Sequence, residues 1–342
     1  MTSPRIVEFR SDTFTLPTPE MRAVMASAPL GDDVFGEDPS NNALQEYTAN
    51  LFGMEAALFC PSGTMTNQIA INVHTQPGDE VICEAGSHVY YYEGGGIAKN
   101  SGAQVRLIQG DRGKITANQL MDAVNPDDVH RARTRLISLE NTTNRGGGAC
   151  YSLSDINAIQ SFCKQHHLAL HLDGARLMNA IVATGTTPMD YGKRFDSISL
   201  CLSKGLGAPV GSILLGTRSF IKEAKRVRKV LGGGMRQAGM LAAAGLYALQ
   251  HQVDRLEVDH KHAKELEIAL LQNNKILQVL PVETNIVIAT VKDSLTAAQW
   301  VGELKQHGIK ASAISTNQVR FVTHLNVSEE DIAYTIDTLS NL

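Results

Sequence analysis

The sequence predicts an α/β protein built on a mostly parallel sheet, and three observations carry that expectation. Short apolar, β-branched runs alternate with helical patterns from Ala57 to Leu215. Several of those runs are continuously apolar, as strands covered on both faces by helices must be. Two are followed by an ionisable residue and a glycine, Asp173-Gly174 and Lys204-Gly205. In open α/β sheets the ligand site lies outside the carboxyl ends of the strands.

Seven strands are expected: Ala57–Cys60, Glu80–Cys83, Gln104–Ile108, Leu136–Leu139, Ala169–Leu172, Ser197–Leu202 and Gly211–Leu215. A long helical stretch rich in Ala, Leu, Glu and Lys then runs from Met240 to about Leu271. Beyond it, Glu283–Thr290 reads as strand, Trp300–His307 as helix and Val319–Val322 as strand. The expected division is a large domain over 1–245, with the N-terminal segment, and a small C-terminal α/β domain over 246–342.

Composition narrows the function before any motif does. A chain of 342 residues can bury a sizeable core. Its 31 basic and 35 acidic residues leave a net charge of −4, which favours neither a nucleic-acid nor a membrane partner. No apolar run is long enough to span a bilayer, and Met1-Thr2-Ser3-Pro4-Arg5 lacks a signal-peptide core. Cys60, Cys83, Cys150, Cys163 and Cys201 are odd in number and widely spaced. They suit reduced, buried thiols rather than a disulfide framework or a zinc site, and the expected location is cytoplasmic. His166, His167 and His171 imitate a metal cluster, but the first two fall at a helix end and the third in a strand. No metal is expected.

Lys204 and Asp173 are the informative pair. A lysine at a strand end can carry pyridoxal phosphate (PLP) as a Schiff base. An aspartate at another strand end keeps the ring nitrogen protonated, so the ring accepts electrons. Pro61-Ser62-Gly63-Thr64-Met65-Thr66-Asn67 follows a strand and opens a helix. Free N–H groups there favour a phosphate, with Gly63 admitting the backbone and Thr64 adding a hydroxyl; the same residues also read as a plain helix cap. His88 is placed to stack on a flat ring or to move a proton, while Tyr90, Tyr91 and Tyr92 read as core packing. Arg176 and Arg320 are candidate two-pronged clamps for a substrate carboxylate, or else surface ion pairs. Lys222 to Lys229 reads as a solvated basic face. Arg236, just past Gly232-Gly233-Gly234, is the candidate anion ligand beyond it.

Taken together, these motifs resemble the L-threonine aldolase family. The matching stretches begin with Arg10-Ser11-Asp12-Thr13, Gly31-Asp32-Asp33-Val34, Gly36-Glu37-Asp38-Pro39 and Pro61-Ser62-Gly63-Thr64-Met65. They continue with Ser87-His88, Glu140-Asn141-Thr142, His171-Leu172-Asp173-Gly174-Ala175-Arg176 and Leu202-Ser203-Lys204-Gly205-Leu206-Gly207. Gly232-Gly233-Gly234-Met235-Arg236-Gln237 and Arg320-Phe321-Val322-Thr323-His324 complete the set.

The resemblance implies the transferase-like fold type I of PLP enzymes, in homotetramers whose sites draw residues from a neighbouring subunit. It implies that Lys204 holds PLP, Asp173 pairs with its ring nitrogen, Gly63 and Thr64 bind its phosphate, and His88 stacks on its ring. Ser11, Arg176 and Arg320 would hold the amino-acid carboxylate, and Arg236 would reach a phosphate across the subunit interface. His130 matches a family histidine near the substrate hydroxyl, and Lys229 a lysine near the site.

The implied reaction is retro-aldol cleavage of L-threonine, L-allo-threonine or related β-hydroxy-α-amino acids to glycine and an aldehyde such as acetaldehyde. The alternative is another fold type I enzyme, a β-eliminating lyase or an aminotransferase. The base for the β-hydroxyl is left among His88, His130 and a water they hold. Two positions depart from the family, Phe35 standing for a tyrosine and Thr143 for a histidine.

Overall fold

The apolar runs fold as strands in the computed structural model, which describes residues 5–342. In chain order the first eight are β1 (Val7–Glu8), β2 (Ala56–Cys60), β3 (Glu80–Glu84), β4 (Gln104–Ile108), β5 (Thr134–Glu140), β6 (Ala169–Gly174), β7 (Ser197–Cys201) and β8 (Ser212–Gly216). Seven of them form one sheet in the order β2-β8-β7-β6-β5-β3-β4. Every residue of β3, β7 and β8 is buried, which is why these strands show no apolar-polar alternation of the half-exposed kind; β4, at the edge, is more exposed. Strand β8 runs antiparallel to both neighbours, while β7, β6, β5, β3 and β4 pair in parallel. Residues following Cys60, Glu84, Glu140, Gly174 and Cys201 therefore all emerge at one edge of the sheet.

The chain beyond β7 turns back on itself. The Gly207 N–H donates to the Lys204 carbonyl at 2.8 Å. Gly207 sits at φ +79°, where a side chain is strained, so glycine sets the shape of the turn that presents Lys204.

The helical stretch from Met240 to Leu271 is two helices, Gly239–His251 and Leu256–Gln272. At the break, Val253 packs on the core under the large sheet. The second helix then bridges two cores: Leu256 belongs to the first, Ala263, Leu266 and Leu270 to the second. That second core lies on β9 (Ile276–Val279), β10 (Ile286–Val291), β11 (Ile309–Lys310), β12 (Ser312–Ala313) and β13 (Gln318–Val322). Four of these form an antiparallel sheet in the order β12-β13-β10-β9. Buried Trp300 and Phe9 each meet Phe321 edge-on at 5.9 Å, the geometry aromatic quadrupoles prefer.

The N-terminal segment, grouped by sequence with the large domain, packs Val7 and Phe9 into this second core. Strand β1 pairs in parallel with β11. The pairing of chain start with chain end carries no local signal, because two-residue strands have no period to detect. All five cysteines are buried and free. Among the described residues, no helix is long and apolar enough to cross a membrane.

Candidate active site

The residues delivered to the carboxyl edge meet in a cleft of about 540 Å³, lined by Ser11, His88, Tyr91, Tyr92, Arg176, Lys204 and Arg320 among others. Asp173, at the end of β6, is buried; the Asp173 carboxylate, one His88 ring nitrogen and a Glu93 carboxylate oxygen lie within 4.8 Å of one another. The Ala175 N–H donates to Asp173 Oδ1 at 3.1 Å and Asn67 Nδ2 donates to Oδ2 at 2.9 Å. A larger cleft of about 680 Å³, lined by Asp127, Asp128 and Arg131, lies at the opposite, amino edge of the sheet and holds neither Lys204 nor Asp173.

The start of the helix Gly63–His74 faces the same edge. Ser62 caps it, its Oγ accepting from the Met65 N–H at 3.2 Å. The N–H groups of Gly63 and Thr64 precede any partner within the helix, leaving two donors and the positive end of the helix for an anion. The cap and the anion site coexist here, because the cap serves a later N–H.

The two arginines differ in kind. Arg176 is buried and forms two bonds to Asp12, Nε to Oδ2 and Nη2 to Oδ1, both 2.7 Å. Burial disfavours the Asp12 carboxylate, but Arg176 outweighs it and holds the group well below the usual carboxylate range. Among the described residues Arg320 has no carboxylate partner. Its Nη1 donates to Asn144 Oδ1 at 2.6 Å and its Nη2 to the Arg10 carbonyl at 3.0 Å, while Nε is buried without a partner among the described residues. Burial, with Arg176 nearby, pushes its pKa down to about 10. A half-buried cation with an open donor is a ready carboxylate site.

Asp12→Asn is expected to destabilise the fold by about 3–5 kcal/mol, measured by urea unfolding, because it leaves Arg176 buried and unpaired. A folded-state pKa below the free value makes this contribution complete above the ordinary aspartate range and lost as pH falls below it.

His88 Nδ1 lies 3.0 Å from Glu93 Oε1. Burial works to lower the His88 pKa, but the hydrogen bond to Glu93 and the charges of Asp173 and Glu93 outweigh it and raise it above the usual histidine value. Glu140, at the end of β5, accepts from the His88 N–H at 2.7 Å and the Asn144 N–H at 2.7 Å, fixing two loops of the cleft. Burial and the Asp173 charge push its pKa up to about 7.

Three proposed residues do not reach this cleft within one chain. His130 precedes β5, so it sits at the amino edge of the sheet, 86% exposed and paired with Asp128. Arg236 is 62% exposed and paired with Asp32 at 3.0 Å, and Lys229 is exposed on the helix Arg218–Val230. The basic run is not wholly solvated: Arg228 is buried, 2.7 Å from Asp33. Tyr90, Tyr91 and Tyr92 are exposed rather than core, and the last two line the cleft. Phe35 is 73% exposed, and the Thr143 hydroxyl donates to the Arg112 carbonyl at 2.9 Å, so neither lines the cleft.

The family model for beta-eliminating lyases matches residues 8–294. Low-specificity L-threonine aldolase 1 of Arabidopsis thaliana is 42% identical over 339 residues, covering 97% of this chain and 95% of its own. The chain belongs to the L-threonine aldolase family. A low specificity L-threonine aldolase of Escherichia coli K12 is 42% identical over 330 residues, 96% of each chain. Among solved structures, a Leishmania major threonine aldolase superposes with a TM-score of 0.85 at 21% identity, covering 97% of this chain and 98% of its own. An aspartate aminotransferase from Rhizobium meliloti gives a TM-score of 0.72 at 17% identity, covering 99% and 91%. These two likenesses concern the fold alone.

Sequence reasoning missed Asp12, Asn67, Glu93 and Asn144. Each is a buried polar group held by a partner more than 20 residues away, or, for Glu93, held by both Asn67 and His88. Asp12 lies inside a matched family stretch and Asn67 closes the loop that opens the helix after Ser62, so both stood in motifs without being singled out; Glu93 and Asn144 had no signal in spacing or composition.

Proposed function

We propose that the chain is a PLP-dependent carbon–carbon lyase that cleaves L-threonine, L-allo-threonine and related β-hydroxy-α-amino acids to glycine and an aldehyde. The observation that carries this reading is one cleft lined by an amine and a carboxylate-seeking guanidinium, Lys204 and Arg320, with the buried Asp173 carboxylate within 4.8 Å of His88 in its wall. Relatives 42% identical across nearly the whole chain are named threonine aldolases, which supports it.

The donor set fits PLP. Lys204 supplies the amine for its aldehyde, Asp173 the anion for its ring nitrogen, and Gly63 and Thr64 the N–H groups for its phosphate. When bound, PLP supplies the electron sink for the bond cleaved at Cα. Arg320 would grip the substrate carboxylate, and Arg176, its charge already matched by Asp12, would contribute its remaining N–H groups. Gripping the carboxylate fixes which bond at Cα faces the sink, so orientation selects the reaction. Glu93 holds His88 Nδ1, which leaves Nε2 as the nitrogen available to take the β-hydroxyl proton.

His130, Lys229 and Arg236, exposed in one chain, fit a homotetramer in which a neighbouring copy completes each site. One preparation tests both parts. L-threonine should yield glycine and acetaldehyde in equal amounts, and sedimentation should give about four times 37.0 kDa. A keto acid with ammonia would move the activity to β-elimination, and a monomer would remove the shared-site reading.

A further inference from the structure

A row of buried polar side chains runs through the large domain and ends on Asp173. His171 and Asp173 are two apart on β6, so both project from the same face of the sheet. Asn67 and His74 are seven apart, two turns on one face of the helix Gly63–His74 that covers it. Ser197 is paired with His171 across β6 and β7. The contacts are continuous: His74 Nε2 to Ser197 Oγ, 2.8 Å; Ser197 Oγ to His171 Nδ1, 2.8 Å; His171 Nε2 to Asn67 Oδ1, 3.1 Å. Asn67 Nδ2 then reaches Asp173 Oδ2 and Glu93 Oε1, both at 2.9 Å.

One arrangement of protons satisfies every contact in the row. Two carboxylate oxygens can only accept from Asn67, so its Nδ2 faces them and its Oδ1 faces His171. Oδ1 must accept, so His171 carries its proton on Nε2. Burial, with His74 nearby, pushes the His171 pKa down to about 3, and burial pushes that of His74 down to about 4, so both rings are neutral. His171 Nδ1 is then bare and accepts the Ser197 hydroxyl proton, and Ser197 in turn accepts from His74 Nε2–H. All the donors point toward Asp173.

We propose that Asn67 and His171 are positioning residues that hold Asp173 as an oriented anion for the ring nitrogen of the cofactor, the row behind them reinforcing its charge. This rests on the PLP reading above. The row is not a proton path, because an amide such as Asn67 does not exchange its N–H for a proton across its carbonyl. It acts by electrostatics and geometry: aligned hydrogen bonds in a buried site polarise one another, and the last of them fixes where the carboxylate points. Asn67 also donates to Glu93, the partner of His88, so one amide fixes both groups set beside the ring.

The test compares equilibrium affinity for PLP with that for 1-deaza-PLP, which has carbon in place of the ring nitrogen, using protein stripped of cofactor. The wild type is expected to prefer PLP. Asn67→Leu should shrink that preference by about tenfold or more while leaving 1-deaza-PLP affinity within twofold. His171→Phe should shrink it less, and His171→Gln, which keeps a donor near the Nε2 position, should restore most of it. A merely structural role would weaken both ligands equally. If the wild type prefers PLP and all three variants keep its full preference, or lose both affinities in step, the inference is overturned. If the wild type binds both ligands alike, the Asp173 reading itself fails, and this inference with it. The His171 pair decides the matter should Asn67→Leu not fold.

Discussion

Lys204→Ala protein is expected to lose the absorption of lysine-bound cofactor and to cleave threonine with kcat/KM lower by roughly 10⁴-fold or more. Lys204 is the lysine lining the cleft among the described residues, and the neighbouring arginines stay protonated and cannot replace its amine. The fold should be little changed. What holds the Lys204 turn is backbone: its carbonyl accepts from the Gly207 N–H and from the Thr15 hydroxyl at 2.9 Å, and the substitution keeps that carbonyl. Absorption spectra and steady-state kinetics on one preparation decide it. A variant retaining both the absorption and the turnover would remove Lys204 from the chemistry.

Arg320→Leu should separate function from stability in the opposite sense to Asp12→Asn. Losing a two-pronged grip on a carboxylate removes two charge-assisted bonds of about 1.5–3 kcal/mol each, so kcat/KM for threonine should fall by roughly 10²- to 10⁴-fold. The empty protein should lose little. The substitution gives up bonds to Asn144 and to the Arg10 carbonyl, but it also removes a partly desolvated cation that, among the described residues, bonds no carboxylate. The expected change in unfolding free energy is within about 1 kcal/mol. Unfolding curves and threonine kinetics read the two effects independently. Unchanged kcat/KM would mean that the substrate carboxylate is held elsewhere.

The large sheet was legible because burial on both faces writes itself into composition. Every residue of β3, β7 and β8 is buried, and the apolar residues there do not alternate with exposed ones. Lys204 and Asp173 stood out for the converse reason, as charges where such runs stop. The antiparallel insertion of β8 between β2 and β7 left no such mark, since a buried strand reads alike in either direction. Charge alone did not separate Arg176 from Arg320. Their difference lies in Asp12, which is 164 residues from one and joins it only after folding. His130 and Lys229 were chosen through family resemblance and Arg236 first through its place after three glycines, and nothing local in their sequence distinguishes a residue serving its own chain from one serving a neighbour.

The pairing of β1 with β11 sets an order on synthesis. A chain leaving the ribosome has every strand of the large sheet once Gly216 is made, and with it Lys204, Asp173 and the helix that begins at Gly63. Val7 and Glu8 must still wait for Ile309 and Lys310, and Asp12 sits beside Asn285. Domains complete early in translation can fold before the rest emerges. Arg320, the proposed grip on the substrate carboxylate, is therefore made well after the proposed cofactor residues, and a product cut short before it keeps Lys204, Asp173 and Arg176 but lacks the second arginine of the cleft.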